Sequence, residues 1–320
     1  MNLKNKYLMI ILAVIIIKIN FSINVQAKEY NRFNNISIED GLSQATVETM
    51  MQDSKGYIWL GTNDGLDRYN GYTFKKYSYE KGSKNSLVNG YILDIKEDIE
   101  GNIWVATAAG ISKIYNDGEK VQNYTSDSES GNLSNDNTAT MLISSSNKIY
   151  VGTAEGINLY DKKTDKFNLI YPELKEEYIN SLAEDKYGNI WAGTENGLYK
   201  INVGTNVIER FESTDDVNTI SENYIYKVYY DGDKHIWIGT YDNGFCKLNI
   251  ENNKVTRYLQ TREDGTIRGA FVKNFLKDSK GNMWICTDEG VVLFEVDKNI
   301  FTWYENKVHD PHSLIDNNTF

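Results

Sequence analysis

Short apolar runs, each broken by Asp, Asn or Gly, succeed one another along this chain, and the pattern repeats. The stretch Gly56–Tyr69, GYIWLGTNDGLDRY, returns five times, with an aromatic anchor at Trp59, Trp104, Tyr150, Trp191, Trp237 and Trp284. The anchors advance by 45, 46, 41, 46 and 47 residues. Six residues before the anchor stands Asp53, Asp98, Asp185, Asp231 or Asp278, with Ser144 in the third copy; three before it stands Gly56, Gly101, Gly188 or Gly281, replaced by Asn147 and Lys234. Asp opens turns and Gly tolerates positive φ, so this spacing predicts a tight hairpin leading into the anchor strand. A small residue follows two positions after the anchor, on the same face: Gly61, Ala106, Gly152, Gly193, Gly239 or Cys286. Small beside large suits a packed interface, in which burying each ring contributes roughly 1.5–3 kcal/mol. A Thr then precedes a second turn closed by Gly in every copy.

Each core unit is preceded by a recurring connection, such as Leu42-Ser43-Gln44, Leu133-Ser134-Asn135 or Leu314-Ile315-Asp316, and an apolar strand; each is followed by another β-rich run. The connection near Leu174 is shortened, which accounts for the 41-residue step. Four short antiparallel strands at a period in the forties predict an all-β fold, a β-propeller of four-stranded antiparallel blades. Six blades are complete. Tyr30–Ser37 reads as an outer strand with no blade before it, and Leu314–Phe320 opens a seventh blade, so the expectation is an incomplete seventh and a chain truncated at its C-terminus.

Residues 1–27 break the pattern. Lys4 and Lys6 precede an apolar run, Tyr7 to Ile17, and Val25-Gln26-Ala27 supplies the small residues of a cleavage site. This predicts a signal peptide or, alternatively, an N-terminal membrane anchor, with the propeller over 28–320 outside the cytoplasmic membrane. Net charge is −11, or −14 once the three leader lysines are removed, which disfavours nucleic acid as a partner. Cys246 and Cys286 occupy different strands of the unit and are expected as two buried thiols rather than a disulfide.

The opening FNNISIEDGLSQATVETMMQDSKGYIWLGTNDGLDRYNGYTFKKY is similar to the first repeat of the two-component regulator propeller family, and HDPHSLIDNNTF resembles that family's connection between blades. The resemblance covers roughly residues 30–320. It implies an extracytoplasmic sensor region, followed in such proteins by further domains and a cytoplasmic output module, often a histidine kinase or a diguanylate cyclase. It departs from the family pattern at Tyr150, Ala106, Cys286 and the residue inserted before Gly244.

Catalytic chemistry has little footing in the sequence. The three His are His235, in a hairpin, and His309 and His312, in a connection; no carboxylate or Cys cluster beside them has ligand spacing, so no metal and no cofactor is expected. A secreted propeller lyase of the streptogramin-lyase type and a pure interaction scaffold remain the alternatives to a sensor. For ligand binding, the expected site is the end of the ring that receives the turns between second and third strands. There the alignment gathers Asp64, Glu155, Glu195, Asp242 and Glu289, with Tyr241 as the stacking residue. This arrangement predicts a negative mouth for a cation-bearing or hydroxyl-rich small molecule or oligosaccharide. The alternative is that these residues are turn formers only. Downstream signalling domains and a homodimer are the other expected partners.

Overall fold

A computed structural model of the chain describes residues 33–127, 132–260 and 266–320; the leader and Tyr30–Arg32 lie outside them. Asn34–Phe320 forms one unit. In it, six four-stranded antiparallel sheets each run in sequence order from inner to outer strand, a propeller ring of six blades. The inner strands are Val47–Gln52, Ile92–Glu97, Thr138–Ile143, Ile179–Glu184, Ile225–Tyr230 and Val272–Lys277. Among the described residues no helix is long and apolar enough to cross a membrane.

The anchor rings hold the blades. Trp59, Trp104, Tyr150, Trp191 and Trp237 are at most 2% exposed, and the apolar clusters join neighbouring blades, as when Trp59 packs with Ile92, Ile95 and Val105. The hairpin Asp does more than open a turn. In blades 1, 2 and 4 one carboxylate oxygen accepts backbone N–H groups of the turn. The other accepts the indole N–H, Trp59 to Asp53 at 2.7 Å, Trp104 to Asp98 at 2.8 Å and Trp191 to Asp185 at 2.8 Å. Gly56, Gly101, Gly188 and Gly281 all have φ between 77° and 88°, and Asn147 takes a left-handed φ of 58° in their place. Blade 5 differs: His235 Nδ1 lies 3.0 Å from Asp231 Oδ2, and the Trp237 indole N–H is left without a partner.

The small residue after the anchor is set by the next blade. A Cβ on Gly61 would meet Ile92 Cγ2 at 2.6 Å, and one on Gly152 would meet Ile179 Cγ2 at 2.6 Å. Where the family's Gly is replaced, the facing residue shrinks. Ala106 adjoins Thr107, whose backbone exchanges hydrogen bonds with the Thr138 hydroxyl, and Cys286 adjoins Thr287, bonded in the same way by Thr319. The repeat Thr hydroxyls donate to the turn carbonyl in all six blades, from Thr62 to Gly65 at 2.8 Å through Thr287 to Gly290 at 2.8 Å.

Two expectations are corrected. The described residues of Tyr30–Ser37 form no strand, because Ser37 caps a 3-10 turn over Ile38–Asp40, accepting from Glu39 N–H while its own N–H donates to Asp40 at 2.8 Å. The two cysteines are free, but only Cys246 is buried, where its sulfur accepts the Ser221 N–H at 3.2 Å; Cys286 is half-buried.

Candidate functional site

Every inner strand carries the same irregularity. Pairing with the second strand slips by one residue near the start of the inner strand, at Glu48, Leu93, Ala139, Asn180, Tyr226 and Lys273. A bulge leaves one residue unpaired and re-aims side chains. All six bulged residues line one cavity of about 150 Å³ on the ring axis, together with Thr49, Asp94, Thr140, Tyr178, Lys227, Asn274 and Phe320. The bulges thus turn two successive residues of most inner strands toward the channel rather than one.

The residue just before each inner strand forms the mouth. These positions are Thr46, Tyr91, Asn137, Tyr178, Tyr224 and Phe271, aromatic in four blades. Four of their carbonyls are held by the turn between the second and third strands: Ala108 N–H donates to Tyr91 at 3.1 Å, Ala154 to Asn137 at 3.0 Å, Tyr241 to Tyr224 at 3.1 Å and Asp288 to Phe271 at 3.3 Å. Turns and connections therefore emerge at one end of the ring. Tyr241 stacks on Tyr224 with centroids 4.9 Å apart and lies 4.8 Å from Phe271, which meets Tyr226 edge-on at 4.6 Å. Tyr178 donates its hydroxyl to Asn137 Oδ1 at 3.2 Å.

The expected carboxylates separate by turn position. Glu195, first in its turn, hydrogen-bonds Tyr224 beside the channel, and Tyr241 holds the equivalent place in blade 5. Asp64, Glu155, Asp242 and Glu289 stand second. Asp64 sits against Gly90 and Glu155 accepts from Asn135 at 3.1 Å, while the Asp242 N–H is taken by Glu222 at 2.8 Å; these are contacts with connections. Sequence reasoning passed over the mouth residues Tyr91, Tyr178, Tyr224 and Phe271, which aligning the position before each inner strand would have exposed. It also passed over the channel charges. Enclosure raises the Glu48 carboxyl above its usual range, opposed by Lys273, and enclosure lowers the Lys227 and Lys273 ammonium groups. Burial, then Glu48, pushes Tyr226 up to about 12. None of the three His lines the channel, and no group of His, Cys, Asp and Glu among the described residues fits a metal ion.

Comparison with known proteins places these repeats. Residues 41–64, 86–109, 173–196 and 219–242 match the family described as two component regulator propeller, each match running from a connection through the hairpin to the second turn in blades 1, 2, 4 and 5. Histidine kinase P4 of Formosa agariphila is 28% identical over 191 residues, 57% of this chain and 14% of that protein. The extracellular domain of a hybrid two component system from B. thetaiotaomicron is similar with a TM-score of 0.55 at 20% identity, covering 81% of this chain and 41% of that one. A streptogramin B lyase gives 0.56 at 15%, covering 77% of each. PorZ, a surface component of the type-IX secretion system of Porphyromonas gingivalis, gives 0.60 at 16%, covering 78% and 38%. The structural likenesses show the fold. The chain spans only a seventh of the histidine kinase and under half of the hybrid-system domain.

Proposed function

We propose that this chain, whose repeats are those of the two component regulator propeller family, is the extracytoplasmic ligand-sensing input of a membrane signalling protein. Residues 1–27 are the leader that carries it out of the cytoplasm, and an output module acts downstream. The observation that supports sensing is the bulge in all six inner strands, which turns unrepeated side chains into one channel under an aromatic mouth. Glu195 and Tyr241 belong to that mouth, and the remaining turn carboxylates add negative charge at its rim for a cation-bearing or hydroxyl-rich ligand.

A seventh blade is part of the reading. Asn318 N–H donates to Asp316 as Asn137 N–H donates to Asn135, and Thr319 bonds Thr287 and Gly290 as Thr138 bonds Thr107 and Gly110. Leu314–Phe320 thus repeats the entry into blade 3, with Phe320 at the place of the bulged Ala139.

The test is a thermal-shift screen of cations and oligosaccharides on the chain and on its Glu195→Gln, Asp242→Asn, Glu289→Gln variant. A ligand that raises Tm of the wild type and not of the variant is expected. No response from any member of either class would leave an interaction scaffold as the better account.

A further inference from the structure

The channel contains one charged side chain with no bonded partner. Asp94 accepts from Ile95 N–H at 2.8 Å, Met141 N–H at 2.8 Å and Lys96 Nζ at 2.5 Å. Glu48 is hydrogen-bonded by Tyr91 and Asn63, with Lys273 nearby. Lys273 donates to Asn318 and lies 3.8 Å over the Phe320 ring. Lys227 lines the same cavity and makes no hydrogen bond or ion pair among the described residues. The charges lining the cavity, Glu48 and Asp94 against Lys227 and Lys273, balance in number, but Asp94 is already bonded by Lys96, which stands outside the lining, so Lys227 is left without a bonded counter-charge. An enclosed, unpaired ammonium is costly to fold around, and enclosure together with Lys96 works against its charge, with Asp94 opposing them. Three neutral groups lining the same cavity also have no partner among the described residues: the hydroxyls of Thr49 and Tyr226 and the side-chain amide nitrogen of Asn274.

We infer that Lys227 anchors a subsite for a small hydroxylated carboxylate inside the channel. The carboxylate supplies the missing counter-charge, and its hydroxyls meet Thr49, Tyr226 and Asn274. The cavity is smaller than the roughly 300–1,000 Å³ of drug-sized pockets, so the occupant is a single short acid or the acidic end of a longer chain. This rests on the sensing function proposed above and names a ligand chemistry for its channel. It departs from the cation preference of the rim, because the unbonded group on the channel wall is the Lys227 ammonium whereas the rim carries carboxylates.

Gluconate and sorbitol share their hydroxyls and differ in the carboxylate, so titration calorimetry of the full chain with each isolates the charge. Gluconate is expected to bind at least tenfold tighter than sorbitol, and Lys227→Met to lose at least tenfold in gluconate affinity with Tm unchanged or raised. Lys227→Arg, which keeps the charge, should retain binding and guards against a Met variant that fails to fold. Equal affinity for the two compounds, no gluconate binding, or full binding by a folded Lys227→Met would each overturn the subsite. A neutral saccharide or cation response that survives Lys227→Met would then show that sensing stands while the subsite does not.

Discussion

The two ends of each blade follow opposite rules. At the hairpin end, blades 1, 2 and 4 place the same carboxylate on the same indole within 2.8 Å, and even the substituted third blade keeps the left-handed residue that closes the turn. At the channel end the position before the inner strand reads Thr46, Tyr91, Asn137, Tyr178, Tyr224 and Phe271, and the bulged residue reads Glu48, Leu93, Ala139, Asn180, Tyr226 and Lys273. The backbone there repeats as well, since the carbonyls of Tyr91, Asn137, Tyr224 and Phe271 accept corresponding turn N–H groups and every inner strand carries the same bulge. Only the side chains vary. Repetition therefore marks what the ring needs in order to stand, and departure from repetition on a repeated backbone marks what it does.

The comparison can be broken most sharply at the hairpin end. Trp191 is fully buried and joins the cluster of blades 4 and 5, and its indole satisfies Asp185. Trp191→Ala removes that packing and leaves a cavity, at about 3–5 kcal/mol. Chemical denaturation should show this loss in the midpoint. A midpoint equal to wild type would mean that the anchors are not what binds the blades.

A smaller effect lies at the blade interface. Gly152→Ala drives a methyl against Ile179 Cγ2 and Thr140 Cγ2, which stand 2.6 and 2.7 Å from where it would sit. Overpacking of this kind costs about 1–3 kcal/mol. Adding Ile179→Ala removes the Cγ2 that the new methyl meets, so the double variant should cost less than the sum of the two single changes. The interaction energy of the double-mutant cycle checks it: a coupling near zero would deny that the small residue and its facing neighbour are fitted to each other.

How far the fold and the site were legible follows from the same division. Trp59, Asp53, Gly56 and Thr62 recur at fixed spacing, so their places in the blade could be read from one chain without a relative. The bulges were not legible, because the slip depends on pairing with the second strand and leaves no composition mark of its own. Lys227 shows why: it sits in an ordinary-looking strand, IYKVYY, and only the re-aimed backbone brings it to the channel. The carboxylates Asp64, Glu155, Asp242 and Glu289 fall in the turns between the second and third strands. Which of the two turn positions faces the axis depends on how the turn is held by the next connection. His235 taking Asp231 from Trp237 was equally hidden, since it substitutes one hydrogen-bond donor for another at an unremarkable hairpin position.

The smallest stability effects should come from the mouth, and there the comparison is sharpened rather than broken. Tyr91 is 40% exposed and meets Glu48 through its hydroxyl, so Tyr91→Ala should stay within about 0.5 kcal/mol of wild type. Tyr224→Ala also gives up its stack on Tyr241, an aromatic pair of about 0.5–1.5 kcal/mol beyond area burial, so it should cost somewhat more. Both lie well below Trp191→Ala although all three remove an aromatic ring. Denaturation midpoints of the three variants, measured side by side, carry the test. If Tyr91→Ala destabilises as much as Trp191→Ala, the mouth ring is architecture like the hairpin ring. If it leaves the midpoint in place while the thermal-shift response to the ligand disappears, the aromatic mouth is held for binding alone, on a frame that would stand without it.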